Sequence, residues 1–262
     1  MRNRSVVITG AASGIGAALA RRFARGGCRL GLLDREDHAV RELAERLRAG
    51  GASVVAECCD VTHFEECQAA LEAVRNAHGG IDILVNNAGI THVGLFRDTD
   101  VDVIRRVMEV NFFGSVHCTK AALPALLERR GQIIVLSSVA GLAPLATRSG
   151  YSASKHALHG FFESLRAEHA GDGLAVTIVC PSFVRTRIGD HALAADGGPA
   201  ARDARTGVRG AIEPDVVADA IFDAASKRRR SLLIPRRARL FVWIWQLAPS
   251  FYERLMARRT MS

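Results

Sequence analysis

The chain has 262 residues, 48% hydrophobic and 24% charged, which suits a soluble globule built as one large α/β domain or two small ones. Its six cysteines (Cys28, Cys58, Cys59, Cys67, Cys118 and Cys180) form no CxxC pair, so buried free thiols are expected rather than a disulfide framework or a metal site. The formal charge of +8 is concentrated at one end: from Lys227 onward ten Lys/Arg face a single acid, Glu253, leaving about −1 on residues 1–226, which argues against a nucleic-acid-binding domain.

The opening "MRNRSVVITG" enters a strand almost at once, so no signal peptide is expected. No apolar run approaches the roughly 20 residues that span a bilayer, and the expected location is cytoplasmic. The first strand, "SVVIT" (5–9), runs into "TGAASGIGAALARRFA", with glycines at Gly10, Gly14 and Gly16 around Ser13 and Ile15. Glycine permits a tight turn and lets backbone approach a pyrophosphate, and the helix that follows, over 15–25, presents a positive end to that anion. The spacing is nearer TGxxxGxG than GxGxxG. The second strand, "RLGLLD" (29–34), ends in Asp34, about twenty residues beyond the turn, where an acid hydrogen-bonds a ribose and repels a 2′-phosphate. NAD is therefore favoured, with NADP as the alternative because Arg35 could accommodate the phosphate.

A helix over 39–49 leads to the third strand, "SVVAE" (53–57), and then "CDVT" (59–62), where Asp60, beside Val61, could accept from the adenine amino group. A helix over 65–77 precedes the fourth strand, "DILVN" (82–86). It closes in "NNAG", Asn86, Asn87, Ala88 and Gly89, small enough to leave room for the adenosine ribose. Asn111, in "VMEVNFFGS", stands inside a helix although Asn is a mediocre helix former. "QIIVLS" (132–137) ends beside Ser137 and Ser138. Adjacent strand residues face opposite sides, so only one serine reaches a site at the strand end.

In "YSASK" (151–155), Tyr151 and Lys155 stand four residues apart on one helix face. Taking a hydride from an alcohol carbon requires removing the hydroxyl proton, and the reverse requires supplying one. A free phenol is a poor base at neutral pH; a neighbouring cation stabilises the phenolate, so Lys155 is expected to lower the pKa of Tyr151. His156 and His159 follow on the same helix and read as packing or interface residues. "AVTIVC" (175–180) and "SLLIP" (231–235) complete the β-runs. These apolar runs are continuous and alternate with helices, as in a doubly wound, mostly parallel sheet of about seven strands flanked by helices.

Taken in order, TGAASGIG, Asp60-Val61, NNAG, Asn111, Ser138 in "VLSSVAG" and "YSASK" resemble the short-chain dehydrogenase/reductase family over about residues 4–186. The resemblance implies a Rossmann-type fold, a nicotinamide cofactor and a hydride transfer between an alcohol and a carbonyl compound. It implies Ser138, Tyr151, Lys155 and Asn111 as the catalytic set, with Ser138 donating to the substrate oxygen. It also implies that Asn111 kinks its helix and holds a water linking Lys155 to solvent, and that Tyr151, Lys155, Pro181, Val184 and Thr186 contact the cofactor. The family usually has Pro-Gly where this chain has Pro181-Ser182. A homodimer or homotetramer is the expected assembly.

Residues 1–235 are expected to form one catalytic domain, with an irregular substrate lid over 187–210 that includes Ile188, Leu193 and Val208. Residues 236–262 form a helical extension, where arginines flank an apolar, Trp-containing stretch. That stretch has three readings: packing on its own domain or a sister subunit, docking on an anionic membrane surface, or binding nucleic acid, the last disfavoured for want of polar readers. A membrane surface would go with a lipophilic substrate, steroid-, retinoid- or fatty-acyl-like. The alternatives are an NADPH-dependent reduction of 3-oxoacyl or other ketones, and a non-catalytic dinucleotide sensor. No metal is expected.

Overall fold

The computed structural model describes residues 1–200 and 211–260. Seven strands, β1 (Ser5–Thr9), β2 (Arg29–Asp34), β3 (Val54–Cys58), β4 (Ile83–Asn86), β5 (Gln132–Leu136), β6 (Ala175–Pro181) and β7 (Ser231–Ile234), form one sheet in the order β3-β2-β1-β4-β5-β6-β7. Every pairing is parallel. Alternation along the strands feeds two cores: Val6, Ile8, Ile83 and Val85 face one side, Val7 and Leu84 the other. Helices α1 (Gly14–Arg25), α2 (Asp37–Ala49) and α7 (Pro214–Ser226) cover the first face. The second face is covered by α3 (Phe64–His78), α5 (Gly114–Glu128) and α6 (Ser149–Glu168). Both faces are dry, which is why the strands read as unbroken apolar runs.

Five strands differ slightly from expectation: β5 stops at Leu136, β6 runs on to Pro181, β7 stops at Ile234, and the other two are β3 and β4. β3 begins and ends one residue later than expected, and β4 starts at Ile83 because the Asp82 carboxylate accepts from the Ser5 backbone N–H at 2.8 Å and from Arg4 at 3.1 Å. The strand order reverses between β1 and β4, so a crevice opens beyond their carboxyl ends, the place where such sheets bind ligands.

The helical tail is two helices, α8 (Arg239–Leu247) and α9 (Pro249–Thr260). Tyr252 and Met256 pack on Ala143, with Leu145, Ala146, Ile244, Trp245 and Leu255 around them. The Tyr252 hydroxyl donates to the Pro144 carbonyl at 3.1 Å. The tail thus lies on the segment leading into α6. Among the described residues no helix is long and apolar enough to cross a membrane.

Candidate active site

A cavity of about 740 Å³ lies along the carboxyl ends of the strands, with the glycine turn, Ser138, Tyr151, Lys155 and the tail helices all on its wall. At the turn, Gly10 has φ +62°, and a Cβ there would stand 2.8 Å from the Ala88 Cα. Only glycine fits, because both the backbone angle and the space exclude a side chain. Asn87 ties this turn to β4, its Nδ2 donating to the carbonyls of Thr9 (2.9 Å) and Gly10 (3.0 Å). Asp34 braces it from β2: one carboxylate oxygen accepts from the Ala12 N–H at 2.8 Å, the other from the Glu36 N–H at 3.1 Å.

Of the residues expected to contact a dinucleotide, Gly10, Ser13, Gly14, Ile15, Asp34, Arg35, Asp60, Val61, Asn87, Ala88, Gly89, Tyr151, Lys155, Pro181, Val184 and Thr186 all line the cavity. Burial alone would raise the Asp60 pKa; hydrogen bonds from the Thr62 N–H and hydroxyl, with His63 and Arg35 nearby, hold it below its ordinary value. Two others lie behind the wall. Asn86 is buried, its Nδ2 donating to Thr119 Oγ1 at 2.9 Å. Gly16 is a packing glycine: a Cβ would fall 2.0 Å from the Gly10 carbonyl oxygen, so its smallness lets α1 close on the turn.

At the other end, Ser138 stands two residues beyond β5, its Oγ accepting from the Ala140 N–H at 3.1 Å and donating to the Pro181 carbonyl at 3.5 Å, on the same cavity wall as Tyr151. Ser137 points away, as strand alternation requires, and donates to the Lys155 carbonyl at 3.1 Å. Lys155 is only 5% exposed, its Nζ 5.6 Å from the Tyr151 ring centroid and donating to the Leu136 carbonyl at 2.8 Å. Burial lowers the Lys155 pKa to about 8. Burial also raises that of Tyr151, opposed by the Ser138 hydrogen bond and the Arg148 charge. The expectation that Lys155 lowers the phenol's pKa is therefore corrected. The lysine packs under the ring with its Nζ on the Leu136 carbonyl, and the Arg148 charge opposes the rise in the phenol's pKa without overcoming burial.

Asn111 lies behind the wall, fully buried in a π turn over Glu109–Phe113, between α4 (Val101–Met108) and α5. Its side chain donates to the Ile90 carbonyl (3.0 Å) and to Ser154 Oγ (2.9 Å), and accepts from the Ile90 N–H (2.8 Å). Its own carbonyl accepts from Ser115 Oγ at 2.8 Å. The expected kink is thus a widened turn, and the side chain fastens the loop after β4 to α6. His159, expected to be a packing residue, is partly buried with Nε2 3.1 Å from Ser137 Oγ.

Ile188 lines the cavity, as do Phe183, Leu145, Phe241, Tyr252 and Met256. Leu193 is not on the wall; it is stitched by backbone bonds to Thr91 (3.0 Å) and Val93 (2.9 Å). Residues 201–210 of the expected lid, with Val208, fall outside the described residues. Sequence reasoning missed Arg148, which its place one turn ahead of Tyr151 could have flagged, and the tail residues, which no local spacing reveals. Among the described residues no group of three or more His, Cys, Asp or Glu could hold a metal.

A parallel doubly wound sheet with a glycine cradle at one end of a cavity and a Ser, Tyr and Lys set at the other defines a Rossmann-type oxidoreductase. The model of the short chain dehydrogenase family matches residues 4–196, and the chain belongs to the short-chain dehydrogenase/reductase family, whose members are NAD(P)-dependent oxidoreductases. It is 38% identical to the mouse (Mus musculus) "Dehydrogenase/reductase SDR family member 7B", over 99% of this chain and 82% of that one. It is 37% identical to an Anopheles gambiae "Dehydrogenase/reductase SDR family protein 7-like", over 99% of this chain and 84% of that one. A crystal structure of a Burkholderia phymatum short chain dehydrogenase/reductase in complex with NAD superposes with a TM-score of 0.88 at 30% identity, covering 95% of each chain.

Proposed function

We propose that the protein transfers a hydride between NAD(H) and a secondary alcohol or ketone of lipophilic character. The observation that carries the reading is the convergence of Ser138, Tyr151 and Lys155 at one end of a cavity whose other end is the glycine turn. The cradle at Gly10, which a Cβ would fill, suits a pyrophosphate, and the NAD complex of the Burkholderia phymatum relative supports the same cofactor here. Gly10, Ser13, Gly14, Ile15, Asp34, Asp60, Asn87 and Thr186 would hold it. When bound, its nicotinamide supplies or accepts the hydride.

The chain's own groups handle the proton. In reduction, the Tyr151 hydroxyl gives its proton to the carbonyl oxygen while Ser138 Oγ donates a hydrogen bond to that oxygen as charge develops. In oxidation, the Tyr151 oxygen takes the alcohol proton. Lys155 keeps a positive charge under the ring, and Asn111 keeps α6 and the 88–90 segment in register; a water carried between Asn111 and Lys155 is part of the same proposal. A ribose hydroxyl on Asp34 favours NAD, whereas Arg35, paired at 3.6 Å with Glu36, keeps NADP as the second cofactor to test.

The apolar wall of Leu145, Phe183, Ile188, Phe241, Tyr252 and Met256 favours a steroid-, retinoid- or fatty-acyl-like substrate. The outer side of the tail, with Trp243 54% and Leu247 84% exposed beside its arginines, supports docking on an anionic membrane surface. Assembly as a homodimer or homotetramer, a cytoplasmic location and a substrate lid over 187–210 belong to the same reading. The test is a screen of steroids, retinoids, fatty alcohols and 3-oxo thioesters with NAD(H) and NADP(H). Turnover abolished by Tyr151→Phe supports the reading. A protein that binds NAD but turns over nothing supports the dinucleotide sensor instead.

A further inference from the structure

Arg148 stands immediately before α6, one turn ahead of Tyr151, and lines the same cavity. It is half-buried, and its Nη1 donates to the Thr91 hydroxyl at 2.8 Å. Among the described residues no carboxylate lies within ion-pair distance of it. The other arginines of the cavity differ: Arg35, Arg185 and Arg187 are paired with Glu36, Glu213 and Asp190, and Arg237 is exposed. The nearby His92 imidazole is fully buried and has no hydrogen-bond partner, and burial and the Arg148 charge both push its pKa down. The surroundings of Arg148 thus offer a neutral hydroxyl and a neutral imidazole, and no anion.

A guanidinium drawn out of water is ordinarily paired, since desolvation of an unpaired charge is costly. It presents five N–H donors in a fork that matches a carboxylate or phosphate, and the Thr91 contact engages one nitrogen. We propose that Arg148 is a substrate-recognition residue that binds an anionic group, carboxylate or phosphate, carried close to the reacting carbonyl, while the apolar wall takes the substrate's hydrocarbon portion. This rests on the oxidoreductase reading above and narrows its substrate class to amphiphilic anions: a ketone or alcohol with an acidic group at one end and a long chain at the other.

The test compares three ketones of equal chain length in the full-length protein with NAD(H) and NADP(H): a long-chain 3-oxo carboxylate, its neutral methyl ester, and a long-chain ketone phosphate monoester. Wild type is expected to favour one or both anionic ketones, the arms telling carboxylate from phosphate. Arg148→Met is expected to shrink that preference ~10- to 100-fold, chiefly through KM, as loss of a charge-assisted hydrogen bond implies, and Arg148→Lys to restore part of it. A preference that is the same in Arg148→Met as in wild type overturns the proposal. An independent reading needs no variant: decanoate is expected to compete with the neutral ketone at least tenfold better than methyl decanoate does, and equal inhibition overturns it. Failure of the oxidoreductase reading looks different, because wild type would then turn over none of the three ketones with either cofactor.

Discussion

Tyr151 and Lys155 are both desolvated, and the two respond in opposite senses: the phenol is held neutral to higher pH and the ammonium loses its proton more readily, at about 8. Tyr151→Phe removes the transferable proton without changing ring packing. Turnover is expected to fall about 10²- to 10⁴-fold while NAD binding, read by calorimetry, persists. Loss of binding together with turnover would point to a structural tyrosine. Lys155 also shapes stability. Its folded pKa lies below the 10.5 of the free side chain, so between those values the unfolded chain holds more protons and stability rises with pH. Urea unfolding is expected to show a gain of roughly 2 kcal/mol from pH 8 to pH 10 attributable to this residue. The slope, measured against Lys155→Met over the same range, should be absent from the variant.

At the scale of elements, the glycine turn and α1 act as one piece because Gly16 touches the Gly10 carbonyl. In an ordinary helix Gly→Ala gains up to ~1 kcal/mol; here the added methyl meets backbone, and Gly16→Ala is expected to cost about 1–3 kcal/mol and to weaken NAD binding. A stabilised Gly16→Ala would show that the turn yields. Tyr252→Phe removes the bond to Pro144 that anchors α9 to the segment before α6, and about 1 kcal/mol of stability should go with it, read by thermal melting. KM for long-chain substrates is expected to rise more than KM for short ones. These elements also explain what could be read before the structure. The turn, Asp34, "YSASK" and Ser138 are short-range patterns whose geometry follows from helix and strand periodicity, so their meeting at one sheet edge was legible. The π turn at Asn111 was not, because it depends on bonds from Asn111 to Ile90 and Ser154, far off in sequence. Nor was the tail's place on the cavity wall, which depends on Tyr252 reaching Pro144 across 108 residues of chain.

For the molecule as a whole, charge and apolar exposure coincide. Of the ten basic residues from Lys227 onward, Arg237, Arg239 and Arg254 stand exposed on the tail, whose helices bury Val242, Tyr252 and Met256 inward and leave Leu240, Trp243, Leu247 and Phe251 facing out. A water-facing surface of that kind is expensive for a lone soluble chain and useful beside a bilayer, where arginines meet lipid headgroups and Trp and Leu enter the interface. Both tryptophans of the chain, Trp243 and Trp245, are in α8, so intrinsic fluorescence reports on this helix alone. Adding phosphatidylglycerol vesicles should shift the emission to the blue, phosphatidylcholine vesicles should shift it little, and salt should reverse the binding. Leu247→Ser removes the most exposed apolar side chain, worth ~1.5 kcal/mol or more when buried in lipid, and should weaken partitioning about tenfold. If the emission is indifferent to vesicles at low salt while the protein forms a stable dimer, the outward face belongs to a sister subunit. A cavity walled by Phe241, Tyr252 and Met256 would then take its substrate from solution.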